Sequence, residues 1–355
     1  MNVNTNIKND NLVSIYSLTL QELKDNLVAS GFKSYVGDQI YDWIYKKDID
    51  DFDKMTNLSK QAISFLKQNY FFDEIKINTI QEDKDGTVKF LLELHDNNLI
   101  EVVLMSFDYG YSVCVTSQVG CNMGCKFCAS GLLKKVRNIS TGEFIKQFLL
   151  AKQYLYKTKG ENLSHMVVMG IGEPFDNFNN LVQFMKVIKE QKGLGIGGRK
   201  ITVSTCGLVH RIKEWADLNN QVNLAISLHA SNNEIRNKIM PINAAFNIEK
   251  LLEAIDYYLN KTNRRITIEY IMIKDLNDKK EHAYELIEMF KNRLVFINLI
   301  PYNPVFENSY ARSDKCKEFY DILKNSGITC TIRQEKGSSI DAACGQLRSK
   351  RLGVL

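Results

Sequence analysis

With 355 residues, 45% of them hydrophobic, the chain exceeds the usual single domain and has apolar content for a large core plus a smaller appended unit. No apolar run approaches membrane-spanning length and the opening MNVNTNIKNDNL lacks the apolar core of a signal peptide, so a cytoplasmic protein with no membrane partner is expected, whose eight cysteines stay reduced and free for metal or catalytic use. The formal charge of +5 permits a nucleic-acid partner without demonstrating one.

In chain order, the polar first dozen residues read as a frayed end. A helix is expected after Thr19, whose spacing to Glu22 fits a capping box ahead of LQELKDNLVASG, with Gly31 as its stop. Amphipathic patterns in DQIYDWIYKK and SKQAISFLKQNYFF extend a proline-free helical unit to about residue 75. KINTIQED and GTVKFLLELHD then read as a hairpin-type strand pair, and LIEVVLMS as a further strand. The expected division is a helical N-terminal accessory domain over 1–95 and a core over 96–350 that ends in a catalytic cysteine segment.

From about residue 111 short β-rich runs alternate with helical patterns, the mark of an α/β fold with a parallel sheet. The strands read YSVCVTS, HMVVMG, KITVST, VNLAISL, RITIEYIMI, VFINLI and ITCTIR, separated by amphipathic stretches such as TGEFIKQFLLAKQYLYK and NIEKLLEAIDYYLNK. Six or seven such units predict a partial (βα)6 TIM-like barrel, which carries its chemistry at the C-terminal strand ends. Polar or glycine-rich clusters fall there: CNMGCKFCASG after the first strand, GIGEP after the second, Ser204 and Thr205 ending the third, SLHA ending the fourth and PYNP after the sixth.

Cys121, Cys125 and Cys128 share one loop, while Cys114, Cys206, Cys316, Cys330 and Cys344 are scattered singly. A structural zinc site built from two cysteine pairs therefore lacks its second pair. Thiolates also hold iron–sulfur clusters, and a cubane held by three cysteines keeps one iron open to a small molecule. In YSVCVTS, Ser112, Cys114 and Thr116 alternate with Val113 and Val115, so Cys114 lies on a face able to point into a barrel lumen, although a small buried core cysteine gives the same pattern. Cys206, Cys316 and Cys330 are assigned packing roles. The basic runs LLKKVR and GGRK are expected to place positive charge near the mouth, and the aromatics of WIYKK and NYFF fit either a core or a base-stacking surface.

CNMGCKFC resembles the C-x3-C-x2-C motif of radical S-adenosylmethionine enzymes, whose open iron binds the amino and carboxylate groups of the cofactor, and GIGEP resembles their glycine-rich cofactor motif. More narrowly, SQVGCNMGCKFCASG, GIGEPFDN, KITVSTCGLVHRI, SLHA, MPIN, NLIPYNP and IDAACGQL, in that order, resemble the bacterial adenine-C2 RNA methyltransferases of the RlmN type. The resemblance runs from WIYKKDIDDFDKMTNLSK almost to the C-terminus.

It implies a radical SAM barrel with one 4Fe–4S cluster on Cys121, Cys125 and Cys128, and two S-adenosylmethionine molecules per turnover. One methylates Cys344. The other is cleaved reductively to an adenosyl radical that removes hydrogen from the methylated thioether, and the resulting carbon radical adds to C2 of adenine, a carbon too electron-poor to attack a methyl group itself. Cys114 then attacks Cys344, forming a transient disulfide and releasing the RNA. The resemblance puts Gly172 and Glu173 at the cofactor's amino group, Ser204, Ser227, Leu228 and His229 at its polar groups, and Asn303 at its adenosine or amino-acid end. It makes Glu101 a proton acceptor, although a glutamate in an alternating strand is more often a solvated face residue.

The implied substrates are an adenine in the peptidyl transferase centre of 23S rRNA and one next to the anticodon of tRNA. The implied reductant is a flavodoxin or ferredoxin, and a monomer is expected. A base must leave its stack to enter the barrel, so the N-terminal unit is expected to grip the surrounding RNA. Two alternatives differ in class. A C8-specific, Cfr-like enzyme shares nearly all of these motifs but has alanine where this chain has Pro174, and a metal-stabilised RNA-binding protein would leave S-adenosylmethionine uncleaved.

Overall fold

The computed structural model describes residues 12–306 and 308–348, so the frayed end expected over the first dozen residues falls almost wholly outside them. The helical unit begins with a short strand β1 (Val13–Ser14) and helix α1 (Leu20–Ala29). The Thr19 capping box is formed: Glu22 N–H donates to Thr19 Oγ1 at 3.2 Å and Thr19 N–H to Glu22 Oε2 at 2.7 Å. Gly31, at φ +86°, turns the chain after α1. Helix α2 (Tyr35–Tyr41) runs into a π-helical turn over Asp42–Lys46, and α3 (Lys60–Asn69) leads to β2 (Tyr70–Phe71), which pairs parallel with β1. Tyr16, Tyr41, Tyr45 and Tyr70 are buried, so most of the aromatic content of this unit is core.

A meander of β3 (Ile75–Glu82), β4 (Val88–Leu94), β5 (Leu99–Phe107) and β6 (Gly110–Cys114) follows, each pair antiparallel. The small antiparallel pair β7 (Gln118–Val119) and β8 (Arg137–Asn138) brackets the cysteine loop. Regular alternation then takes over: α4 (Thr141–Lys159), β9 (Leu163–Val168), α5 (Phe178–Ile188), β10 (Ile201–Thr205), α6 (Val209–Asp217) and β11 (Asn223–Ser227). It continues through α7 (Asn233–Ile239), α8 (Ile248–Thr262), β12 (Ile266–Met272), α9 (Lys280–Phe290), β13 (Val295–Pro301), α10 (Cys316–Asn325) and β14 (Cys330–Ile332).

All ten strands from β3 to β6 and β9 to β14 form one sheet in the order β14-β13-β12-β11-β10-β9-β6-β5-β4-β3, parallel from β6 to β14. Six strand–helix units in a sheet that, among the described residues, does not close on itself make the expected partial (βα)6 barrel. Strands β3 and β4, counted by the sequence with the accessory unit, hydrogen-bond into this sheet next to β5. The helical unit itself lies along α4 and α5: Gln183 Nε2 donates to Ser17 O at 3.0 Å, and Lys146 and Lys152 pair with Asp50 and Asp48, each at 2.9 Å.

Strand polarity corrects one expectation. The Gly198–Lys200 turn of GGRK precedes β10, and Asn223 at the start of β11 donates to Arg199 O at 2.8 Å. In a parallel sheet both lie at the N-terminal strand ends, so this charge is on the side away from the mouth. LLKKVR, which follows the cysteine loop, stays beside the mouth.

The strand ends are tied together by Arg236 of α7, which is fully buried. Its guanidinium donates to Leu228 O at 3.2 Å, Asn243 Oδ1 at 2.9 Å, Phe246 O at 3.1 Å and Cys206 O at 2.8 Å. Arg236→Met keeps much of the volume and strands these acceptors. Buried acceptors left unmade cost about 1–3 kcal/mol each before relaxation, so a loss of roughly 2–4 kcal/mol is expected. Urea unfolding should show a lower midpoint with unchanged slope.

Candidate active site

The cysteine loop is shaped by close backbone packing. A Cβ on Gly120, at φ +76°, would meet Lys134 O at 2.2 Å, and one on Gly131 would meet Cys125 O at 2.6 Å. Cys121 N–H donates to Leu133 O at 2.8 Å and Lys126 N–H to Ile239 O at 2.9 Å. With the loop held in this way, Cys121, Cys125 and Cys128 all line one open cavity at the barrel mouth.

Burial pushes the Cys121 thiol up to about 12 and raises Cys125 and Cys128 as well. The charges of Cys121 and Cys128 add to the effect at Cys125. As bare groups these thiols would stay protonated, and positively charged iron is what converts such a set to thiolates. Among the described residues no three His, Cys, Asp or Glu groups stand close enough to hold a single metal ion. Three thiols lining one cavity at wider spacing suit a cubane, which takes each at a separate iron.

Most of the other expected residues border the same cavity: Gly172, Glu173, Ser204, Ser227, His229 and Cys344 all line it. Gly172 sits at φ +101°, where a Cβ would meet Gln118 Cβ at 2.5 Å. Gln118 in turn accepts from Glu173 N–H at 2.9 Å and donates to Asp176 Oδ2 at 2.8 Å, so the β9 turn is locked to β7. Glu173 is buried, its two oxygens accepting Phe175 N–H at 2.9 Å and Cys206 N–H at 2.7 Å; burial raises its pKa against these bonds.

Ser204 and Ser227, on neighbouring strands, have their hydroxyls 3.3 Å apart. His229 stands at φ +58° and its Nδ1 accepts Ile271 N–H at 3.1 Å, which puts its proton on Nε2. Burial, aided by Arg236, lowers its pKa to about 3, so the ring is neutral. Leu228 is placed otherwise: its side chain is buried in the main core and does not line the cavity.

Cys114 and Cys344 meet at a second, adjoining cavity lined also by Met105, Met169, Asn303 and Arg333. Strand β6 divides as its alternation predicts, with Val113 and Val115 in the main core and Cys114 among Val103, Met105, Ile171 and Leu347 on the lumen side. Burial pushes the Cys114 thiol up to about 12, with the charge of Cys344 adding and that of Arg333 opposing. Asn303 Nδ2 donates to Cys344 O at 3.2 Å. Cys344 lines both cavities.

The C-terminal segment that carries Cys344 is hydrogen-bonded to the cysteine loop: Ala129 N–H donates to Gly345 O and Ser130 Oγ to Leu347 O, both at 2.8 Å. Its other side is held by the antiparallel strands. Arg348 N–H donates to Glu101 Oε2 at 2.6 Å, and Lys89 Nζ lies 3.3 Å from Glu101 Oε1 and 3.4 Å from Asp341 O. Glu101 is therefore buried and ion-paired, not a solvated face residue, and it lines neither cavity.

Cys206, Glu269 and Arg333, to which sequence reasoning assigned no role at the site, also line the larger cavity. Cys206 packs as expected, buried in the apolar cluster of Phe127 and Ile271, and it also lines the larger cavity beside the three loop cysteines; Cys316 and Cys330 pack against the main core as expected. Glu269 is buried there, accepts from Asn298 Nδ2 at 2.8 Å and lies 3.8 Å from an Arg333 nitrogen. Its one signal was an acidic residue inside the apolar run RITIEYIMI.

A partial (βα)6 barrel with a three-cysteine loop at its mouth defines a radical SAM protein, and the Radical SAM superfamily model matches residues 115–287. Residues 13–71 match the ribosomal RNA large subunit methyltransferase N-terminal domain. The chain is 63% identical to the probable dual-specificity RNA methyltransferase RlmN of Malacoplasma penetrans, over 96% of this chain and 97% of that protein. It is 55% identical to the protein of the same name from Shouchella clausii, over 95% and 97%. A crystal structure of a radical SAM methyltransferase from Sphaerobacter thermophilus superposes with a TM-score of 0.90 at 37% identity, covering 95% of this chain and 99% of that one. The chain belongs to the RlmN family.

Gly172→Ala tests the locked turn. The substitution forces a methyl group into Gln118 at a positive φ, a strain of about 1–3 kcal/mol. A lower melting temperature with an intact far-UV spectrum is expected, and an unchanged melting temperature would mean that the turn has room to spare.

Proposed function

We propose that this protein is a dual-specificity RNA methyltransferase that methylates C2 of adenine in 23S rRNA, at the peptidyl transferase centre, and in tRNA, next to the anticodon, in the cytoplasm and as a monomer. The observation that carries the reading is the meeting of Cys114 and Cys344: two cysteines from opposite ends of the core line one cavity, and the second also borders the cavity of the cysteine loop. The names of the relatives support RNA as substrate. Pro174 favours C2 over C8, since the C8 enzymes carry alanine there.

Cys121, Cys125 and Cys128 would hold a 4Fe–4S cluster, which with S-adenosylmethionine at its open iron, and an electron from a flavodoxin or ferredoxin, supplies an adenosyl radical. Gly172, Glu173, Ser204, Ser227 and His229 border the space left for the cofactor, with Leu228 backing them from the core and Asn303 reaching in from the adjoining cavity. Cys344 has two tasks in this reading. Its thiolate takes a methyl group from one S-adenosylmethionine, and its thioether methyl then gives up hydrogen and bonds to the base. Cys114 forms a disulfide with the Cys344 sulfur as the carbon–sulfur bond to the product breaks. Glu101, the proton acceptor in this reading, is held by Arg348 N–H at Oε2 and by Lys89 at Oε1. Residues 13–71 would grip RNA outside the barrel, while the hairpin β3–β4 belongs with the catalytic segment it contacts.

The two cysteines separate in experiment. Cys344→Ala should retain the cluster absorbance and show neither protein nor RNA methylation. Cys114→Ala should accumulate RNA covalently on Cys344, seen as a nuclease-sensitive, slower band on denaturing gels and absent from the double variant. Normal turnover by Cys114→Ala would return that residue to packing.

A further inference from the structure

The cysteine relay poses an electrostatic problem that the residues so far named do not solve. Each sulfur must react as a thiolate, yet Cys114 lies on the buried lumen face of β6 among Val103, Met105 and Ile171. Apolar surroundings favour the neutral thiol. Lys89, 3.4 Å from Asp341 O of the C-terminal segment, is committed to Glu101 at 3.3 Å. Lys336 places its ammonium 5.6 Å from the centre of the Phe107 ring, and Glu335 pairs with Arg312 at 2.7 Å.

Arg333 is different. It is the residue after β14, fixed by its N–H to Leu299 O at 2.8 Å, and its side chain, 26% exposed, borders both cavities. It shares the smaller cavity with Cys114 and Cys344 and the larger one with Cys344. The ionisable groups facing it are Glu269 from β12, Cys114 from β6, Cys344 from its own segment and Tyr109 from the turn between β5 and β6. The Glu269 contact, at 3.8 Å, is single and long, and Glu269 is shared with Asn298 at 2.8 Å. The guanidinium therefore keeps charge to spare for the sulfurs.

We propose that Arg333 is the positioning residue of the two-sulfur relay, a fixed cation that stabilises Cys344 as thiolate for methyl capture and Cys114 as thiolate for disulfide formation. The relay itself rests on the function proposed above. In the first step the Cys344 thiolate forms a carbon–sulfur bond as the sulfonium–methyl bond breaks and S-adenosylhomocysteine leaves, with no change of oxidation state and no proton to dispose of. Arginine suits the post because it keeps its charge throughout. Burial lifts Cys114, and Arg333 is the charge that opposes it.

The test follows alkylation of the two thiols against pH, in unmethylated, cluster-reconstituted enzyme without RNA or S-adenosylmethionine, with iodoacetamide as probe and mass spectrometry to locate the label. Arg333→Gln should shift alkylation of both Cys344 and Cys114 to higher pH, since an opposite charge nearby favours the charged form. Arg333→Lys should recover most of the shift, and iron content should stay that of the parent. Glu269→Gln, which removes the competing anion, should move both profiles the other way. That variant keeps the proposal open to refutation even if Arg333→Gln fails to fold. Methyl transfer to Cys344, read as a single methyl mass gain, should slow about tenfold in Arg333→Gln at neutral pH and recover as pH rises. Profiles that coincide with the parent in Arg333→Gln, or in Glu269→Gln, would overturn the role of Arg333. If the parent enzyme never methylates Cys344, the relay reading fails while the alkylation profiles still decide the electrostatic one.

Discussion

Everything at the mouth depends on the seam between the cysteine loop and the C-terminal segment. Ala129 N–H to Gly345 O and Ser130 Oγ to Leu347 O join two stretches of chain that meet only because the barrel has wound between them. The seam puts Cys344 on the boundary of two cavities, one shared with the three loop cysteines and one shared with Cys114. The segment after β14 returns over the barrel from the outer strand of the sheet, and this seam is where it meets the cysteine loop.

The antiparallel strands find their purpose in the same place. β3 to β5 extend the sheet on the flank of β6 and present Lys89, Glu101 and the β3–β4 turn to the returning segment. Asp85 and Asp83 of that turn accept the N–H groups of Gly337 and Ser339, each at 3.0 Å. The extension thus acts as a wall that carries the segment, and Glu101 is buried because it belongs to that wall.

How far the sequence could be read depended on whether a feature is local. The three-cysteine loop, the Thr19 cap and the alternation of Cys114 with Val113 and Val115 are written within a few residues, and they stand where their spacing puts them. The seven parallel strands were legible for the same reason. GGRK was misplaced because charge carries no polarity: only the direction of β10 says which end of the barrel its N-terminal turn occupies. Glu269, Cys206 and Arg333 were missed because none belongs to a local pattern that marks a site, and only the folding of the sheet brings them to the cavities. Leu228 was carried along with its neighbours, although alternation turns every second side chain of a strand end away from the lumen.

The C-terminal segment is gripped mainly by its backbone. The groups bound are the N–H of Gly337, Ser339 and Arg348 and the carbonyls of Asp341, Cys344, Gly345 and Leu347. Its side chains add to that grip: Ala342 and Leu347 are buried beside Cys114, and Gln346 Nε2 donates to Pro304 O at 3.2 Å. Its length is another matter. An insertion or deletion between Gly337 and Arg348 would put the bonds on its two sides out of step with each other, so the reach of this stretch, counted in residues, is set by anchors at both of its ends.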